Sequence, residues 1–191
     1  MQIREYDTRY QEQVIQFLDK CLPESGRQLD LNGRHKMYRR IESAFEGFWC
    51  LFDGETVIGT AALKRLNDEC CELKSLYLLE AYHGRQLGRR LLSVALEEAE
   101  KRGFRKIYLD SLSSSKKAIA LYEKNGFMKT ERYNDNPAAD VFMVLELGNQ
   151  SEAGQKNRIR KRKRILWAAL LLLLAAAVLF QIGEMTRESL T

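Results

Sequence analysis

The cysteines of this 191-residue chain form no pattern. Cys21, Cys50, Cys70 and Cys71 have no Cys-x-x-Cys or Cys-x-x-His spacing, and two of them are adjacent. That argues against a zinc site and against a disulfide framework, leaving reduced thiols that serve packing. The chain also lacks Gly-x-Gly-x-x-Gly and a glycine-rich loop ending in Gly-Lys-Ser/Thr, which disfavours dinucleotide and nucleoside-triphosphate sites. No secretory leader is expected from its first residues, and no internal repeat runs through it. Net charge is missing from most of the length: residues 1–155 hold 23 Lys/Arg against 24 Asp/Glu, a net of −1. Nucleic acid is therefore not expected as the main partner. The formal +5 of the whole chain comes from residues 156–164, with seven basic residues and no acid.

What is present divides into four parts. Residues 1–150 have the length and pattern of one domain with a real core. Residues 151–164 form a polar, then polybasic, linker. Residues 165–182 carry no charge at all, and 183–191 are a short polar tail.

Within the first part, Ile3 anchors a strand near the start, and Thr8 is a candidate cap for a helix with Val14, Ile15, Phe17 and Leu18 on one face. Pro23 ends that helix. The spacing of Met37, Tyr38, Ile41, Ala44 and Phe45 predicts a second helix over 34–45. Gly47 opens a hairpin of strands 48–52 and 57–66, turning at Asp53-Gly54. Then come a strand through residues 72–79, apolar on both faces, a long helix stopped at Gly103, a strand over 106–111, and a helix over 116–125. Two last strands follow, over 127–133 and 141–147. The order β-α-α-β-β-β-α-β-α-β-β is α/β of the mixed α+β kind, and it rules out a doubly wound sheet or a barrel of repeated βα units.

The organising stretch is ELKSLYLLEAYHGRQLGRR, residues 72–90. A buried strand feeds a helix through a bend holding Gly84 and Gly88. Such a bend aims free backbone N–H groups and the positive end of the helix dipole at one spot, which suits a phosphate, with Arg85, Arg89 and Arg90 adding charge. The alternative is an ordinary turn with basic surface residues.

YHGRQLGRRLL resembles the acetyl-CoA pyrophosphate turn of the GCN5-related N-acetyltransferases, the GNAT superfamily, whose usual form is Arg/Gln-x-x-Gly-x-Gly/Ala. His83 stands at the Arg/Gln position, Gln86 at the first Gly and Gly88 at the last. AIALYEKNGF, residues 118–127, resembles the segment in which a helix tyrosine faces the coenzyme sulfur, and YNDNPAADVFMVLEL is similar to a turn and strand of small-molecule-type members. The element order agrees over about 147 residues. The resemblance implies the GNAT fold, with a central mixed, splayed sheet, and an acetyl-CoA-dependent N-acetyltransferase acting on a primary amine. Acetyl-CoA is then a co-substrate, and no metal is called for.

Site residues follow from the same resemblance. Tyr122 is the implied proton donor to the coenzyme sulfur; its alternative is plain core beside Ile119 and Leu121. Two carboxylates stand where members place a base for the amine, Glu72, acting through a water, and Asp110; the alternative for each is a salt bridge or cap. Alternation places Glu72, Lys74, Leu76 and Leu78 on one strand face. Leu76, Tyr77 and Leu78 are implied to offer backbone to the pantetheine arm, and His83, Gly84, Arg85, Gln86, Leu87, Gly88 and Arg89 to hold the diphosphate. Ser115 occupies the place of a coenzyme-contacting Asn, or caps its helix. Tyr133 and Asn136, in the Tyr-x-x-Asn-Pro turn, are implied acceptor contacts. The departures at His83 and Gln86 leave a rival class open: a catalytically silent GNAT-like module that binds acyl-CoA or a partner.

The uncharged run ILWAALLLLLAAAVLFQI, 18 residues long, would span roughly 27 Å as a helix, close to the ~30 Å hydrocarbon core of a bilayer. RIRKRKR precedes it, so the expected arrangement is a single-pass C-terminal anchor with the domain cytoplasmic and the basic run against lipid. The alternative is a buried dimerisation helix, with which a homodimer is compatible.

Overall fold

The computed structural model describes residues 1–148. The predicted linker, apolar span and tail (151–164, 165–182 and 183–191) lie outside the described residues. Among the described residues no helix is long and apolar enough to cross a membrane.

Residues 1–147 form one compact unit. Its strands are β1 (Gln2–Glu5), β2 (Gly47–Asp53), β3 (Thr56–Arg65), β4 (Cys70–Leu78), β5 (Lys106–Ser111), β6 (Met128–Lys129) and β7 (Val141–Glu146). The helices are α1 (Gln11–Cys21), α2 (Ile41–Ala44), α3 (Leu87–Lys101) and α4 (Lys116–Lys124). The seven strands make one sheet in the order β1-β2-β3-β4-β5-β7-β6. Only β4 and β5 run parallel; the other neighbours are antiparallel. The predicted succession of strands and helices is therefore the observed one.

Three local expectations are corrected. Asp7, not Thr8, supplies the cap: its side chain accepts the Arg9 N–H, and a 3-10 turn (Thr8–Tyr10) precedes α1. The helix expected over 34–45 is broken, because Arg40 takes a non-helical conformation (φ −143°, ψ 66°) between a 3-10 turn, Lys36–Arg39, and the four-residue α2. Tyr38 and Ile41 still point inward, while Met37 is exposed. The strand expected over 127–133 shrinks to the two residues of β6, since Arg132 spends its guanidinium on the Asn136 and Ala139 carbonyls and ties that segment to the following turn.

The faces of β4 are reset within the strand. Ser75 adopts a left-handed backbone (φ +54°), a conformation that costs a non-glycine residue about 1–2 kcal/mol. It is a bulge: Lys74 pairs with Ala62 and Tyr77 with Thr60, so three steps on β4 oppose two on β3. Alternation along the strand resets there. Glu72 and Lys74 consequently share a face with Tyr77, and not with Leu76 and Leu78 as simple parity predicts. Leu78 pairs with Gly59 on the face covered by α3, where a Cβ on Gly59 would meet Leu78 and Leu91 at 3.0 Å each.

Two side chains pin the bulge. Thr60, fully buried, donates its hydroxyl to the Ser75 carbonyl (2.7 Å), and the Ser75 hydroxyl shares a 2.7 Å hydrogen bond with that of Tyr38. Tyr38 itself is clamped among Phe45 and Phe48. The aromatic layer on this side thus fixes an unfavourable backbone conformation in the middle of the sheet.

Replacing Thr60 by Val keeps the shape and removes the donor, leaving the Ser75 carbonyl buried without it. Thr60→Val should cost about 1–3 kcal/mol, read as a lower urea midpoint at an unchanged slope. An unchanged midpoint would show that the bulge does not depend on this bond.

Candidate active site

Strands β4 and β5 pair only through Cys70–Lys106, Cys71–Ile107 and Glu72–Tyr108. Both strands continue, β4 to Leu78 and β5 to Ser111, so beyond Glu72 they part. The Leu79 N–H bonds the Ile58 carbonyl across to β3 (3.1 Å). Since successive strand amides point to opposite edges, the Leu78 N–H points the other way, into the gap. The Cys21 thiol at the end of α1 is buried near this backbone, and burial pushes its pKa up to about 12.

The bend after β4 closes one end of the gap. A 3-10 turn, Glu80–Tyr82, leads to Gly84 (φ +78°) and Gln86 (φ +59°), both left-handed. Glycine takes this conformation freely; Gln86 takes it at a cost. Gln86 is the N-cap of α3 and no side chain caps that end. The first in-register bond is Arg90 N–H to the Gln86 carbonyl. The N–H groups of Leu87, Gly88 and Arg89 are thus the ones a helix start leaves without an intrahelical acceptor, and the helix dipole adds positive potential at the same place. Arg85, Gln86, Arg89 and Arg90 are exposed around it, with Arg85 5.3 Å over the Tyr82 ring. His83 bonds the Leu78 carbonyl through Nε2 (3.0 Å), tying the bend back to the strand. Gly88 faces α4, where an added Cβ would lie 3.7 Å from Leu121.

Tyr122 of α4 is 7% exposed and packs against Phe127, ring centres 5.7 Å apart. Burial, then the neighbouring Tyr77 and Asp110, raise its pKa, while Arg27 opposes them. The phenol therefore stays protonated at any physiological pH and can donate a hydrogen bond. Ser115 is the N-cap of α4 by position, but its side chain makes no capping bond.

At the root of the gap lies a cluster that sequence reasoning assigned to separate roles. Lys74 Nζ stands 2.9 Å from Glu72 Oε1 and 3.2 Å from Asp110 Oδ2, joining β4 to β5 just past their last paired residues. Asn134 Nδ2 donates to the same two oxygens, at 2.9 and 2.7 Å. The Tyr133 hydroxyl donates to Glu72 Oε1 (2.7 Å), and Asn136 Nδ2 to Asp110 Oδ2 (3.1 Å). Glu72 is only 3% exposed. Burial raises the Asp110 carboxyl, but the Lys74 charge and the Asn134 and Asn136 amides outweigh it, so the pKa is lowered. For Lys74, burial works against the charge and the two carboxylates prevail, so its pKa is raised. Burial and the Glu72 charge raise that of Tyr133.

The implied bases and the implied acceptor contacts are thus bonded to one another. Lys74 occupies the place between the carboxylates where a cation belongs. Among the described residues no group of three His, Cys, Asp or Glu side chains could hold a metal ion.

Several contributors had no signal in the sequence. Lys74 and Asn134 look like ordinary polar residues until the register and the turn bring them together. Ser75 gives no hint of a left-handed backbone. Arg27, in the loop after α1, stacks 5.0 Å over the Tyr77 ring, 50 residues away in sequence.

Known proteins share this fold. The profile of the acetyltransferase (GNAT) family matches residues 11–127. An uncharacterized N-acetyltransferase of Escherichia coli, YjgM, is 35% identical over 95 residues, covering 48% of this chain and 57% of that protein. The chain spans about half the length of the first curated relatives it matches. Among solved structures, a GNAT-family acetyltransferase from Staphylococcus aureus superposes with a TM-score of 0.70 at 22% identity, covering 76% of this chain and 98% of that one. A putative acetyltransferase, yncA, from Salmonella typhimurium, solved with its cofactor acetyl-CoA, gives 0.61 at 23% identity, covering 77% and 94%.

The Asp110 carboxyl, lowered from its ordinary 3.8, contributes stability above that pH and loses it as pH falls through the folded value. Lys74, raised from 10.5, contributes below that pH and loses its share only on the alkaline side. The stability deficit of Asp110→Asn relative to the parent should accordingly be full between about pH 5 and 9 and shrink below about pH 4. Urea midpoints across pH check this; a deficit independent of pH would break the linkage to Lys74.

Proposed function

The chain belongs to the GNAT acetyltransferase family, and we propose from this that it is an acetyl-CoA-dependent N-acetyltransferase acting on a primary amine. The observation that carries the reading is the uncapped start of α3 opening onto the gap between β4 and β5, with the Tyr122 helix beside it.

The residues present fit an acyl-coenzyme. Leu87, Gly88 and Arg89 N–H groups suit its diphosphate, with Arg85 and Arg89 beside them. The Leu78 N–H, turned into the gap, suits a polar group of an extended arm lying along the strand, in the manner of a peptide added to a sheet edge. Bound there, the coenzyme supplies an acetyl thioester. An amine with pKa ~10.4 must shed a proton before it can attack. Glu72, acting through a water, is the first choice of acceptor and Asp110 the second: the bonds Glu72 receives all fall on Oε1 and those of Asp110 all on Oδ2, which spares one oxygen of each. Tyr122 donates a hydrogen bond to the departing sulfur. Burial makes its phenol a weaker acid than a free tyrosine, so its part is to stabilise thiolate as a donor more than to surrender the proton early.

We also propose that residues 165–182 anchor the chain in a membrane, with the basic residues of 158–164 and the acetyltransferase unit on the cytosolic side. The length of the uncharged run and its basic flank support this.

Tyr122→Phe should lower kcat about ten- to a hundredfold, at or below the low end of the range for a positioned acid, while coenzyme A affinity by calorimetry stays within about twofold. Turnover equal to the parent would remove Tyr122 from the mechanism. The full-length chain should sediment with membranes and resist high-salt or carbonate extraction; release into the supernatant by carbonate would refute the anchor.

A further inference from the structure

Arg27 is a half-buried cation that the described residues leave without an acid. Its Nε donates to Ser25 Oγ (2.9 Å), and its backbone N–H to the Leu22 carbonyl (3.1 Å), so the loop holds it in place. The guanidinium lies 5.0 Å over the Tyr77 ring, with Nη1 3.4 Å from the Tyr77 hydroxyl. Among the described residues no carboxylate stands within ion-pair distance of it. The nearby Glu24 carboxylate is engaged by the Glu80 N–H (2.9 Å). Other partly buried cations of this fold are matched: Lys74 by Glu72 and Asp110, Arg102 by Glu5, Glu46 and Glu98.

Partly burying a guanidinium costs desolvation, which an aromatic face repays only in part. Most of its five N–H donors are not taken by Ser25 and Tyr77. Its position is equally specific. Tyr77 precedes Leu78, whose N–H faces the gap, and the Arg27 charge also reaches Tyr122, on the helix beside that gap, and Cys21. His35 Nδ1 accepts the Asp30 N–H (3.0 Å), so its ring proton is on Nε2, and burial lowers its pKa. A group bound at Arg27 would sit one side chain from the amide that the thioester is read to face.

We propose that Arg27 determines acceptor specificity and that the acceptor is a primary amine carrying an anionic group, a carboxylate or a phosphate, which the guanidinium binds. A planar fork of donors fits either anion. The inference rests on the acetyltransferase reading and names its substrate class. The transfer itself is unchanged: nitrogen gains the acetyl group and loses a proton, and the coenzyme leaves as its thiol.

The test uses the full-length chain, its Arg27→Gln and Arg27→Lys variants, acetyl-CoA, and four amines: β-alanine, O-phosphoethanolamine, propylamine and ethanolamine. Coenzyme A release gives kcat/KM for each. The parent should prefer the anionic amines over the neutral ones at least tenfold. Arg27→Gln should lose about ten- to a hundredfold of that preference, and Arg27→Lys should keep part of it. The better of the two anionic amines tells carboxylate from phosphate. Equal preference in parent and Arg27→Gln, or a parent that favours neutral amines, would overturn the proposal. Calorimetric binding of coenzyme A reports separately on the acetyltransferase reading and on folding of the variants. Should no amine turn over, ligand-detected NMR with the two anionic amines decides: binding lost in Arg27→Gln supports the site, and no binding to the parent overturns it.

Discussion

The bulge at Ser75 is the constraint on which the rest of the molecule depends. A strand in the middle of a sheet is normally paired on both edges, and here β4 must keep β3 while leaving β5. A left-handed residue raises the local twist and bends the strand, and it also turns Tyr77 onto the face of Lys74 and Leu78 onto the face of α3. Such a conformation persists only where its surroundings over-determine it. Thr60 and Tyr38 do so, each bonding a different atom of Ser75. Their own positions come from the buried hairpin and the aromatic layer, so the core of the first half of the chain shapes the gap in the second.

The other side of the gap is held by charge. Lys74 lies between Glu72 and Asp110, and the amides of Asn134 and Asn136 with the Tyr133 hydroxyl supply further donors. Taking three charges out of water is costly, and the arrangement is tolerable because the acids' oxygens gain hydrogen bonds as well as a counter-charge. The cluster fixes where the two strands part: Lys74 and Asp110 bridge them two residues past their last backbone pair. It also brings the Asn-Pro turn, distant in sequence, onto the root of the gap. Structure and chemistry therefore share the same residues, and a substitution at either carboxylate would disturb both.

Much of this was legible in the sequence. Periodicity located α1, α3, α4 and the strands, because those segments bury a stripe or both faces, and the glycines at 84 and 103 marked real left-handed turns. The broken helix at Arg40 was hidden, since the apolar spacing of Tyr38 and Ile41 suits a helix and a pair of short turns equally. The bulge was hidden for a deeper reason: serine has no preference for a positive φ, and only partners 15 and 37 residues away hold it there. The same holds for Arg27 and Lys74, whose significance lies in what is absent or present around them in space. The diphosphate bend was legible in outline, while the cost of placing Gln86 in a left-handed backbone needed the structure.

These features converge on one claim, that the parted strands and the bare start of α3 together receive an acyl-coenzyme. Amide hydrogen exchange on the full-length chain, with and without coenzyme A, tests it most directly. The account predicts that the amides of Leu78, Leu87, Gly88 and Arg89 gain protection when coenzyme A is added, with little change in β1 and β2. Unaltered exchange at all four, at a coenzyme concentration of about a millimolar, a level that would reveal even a weak complex, would contradict it.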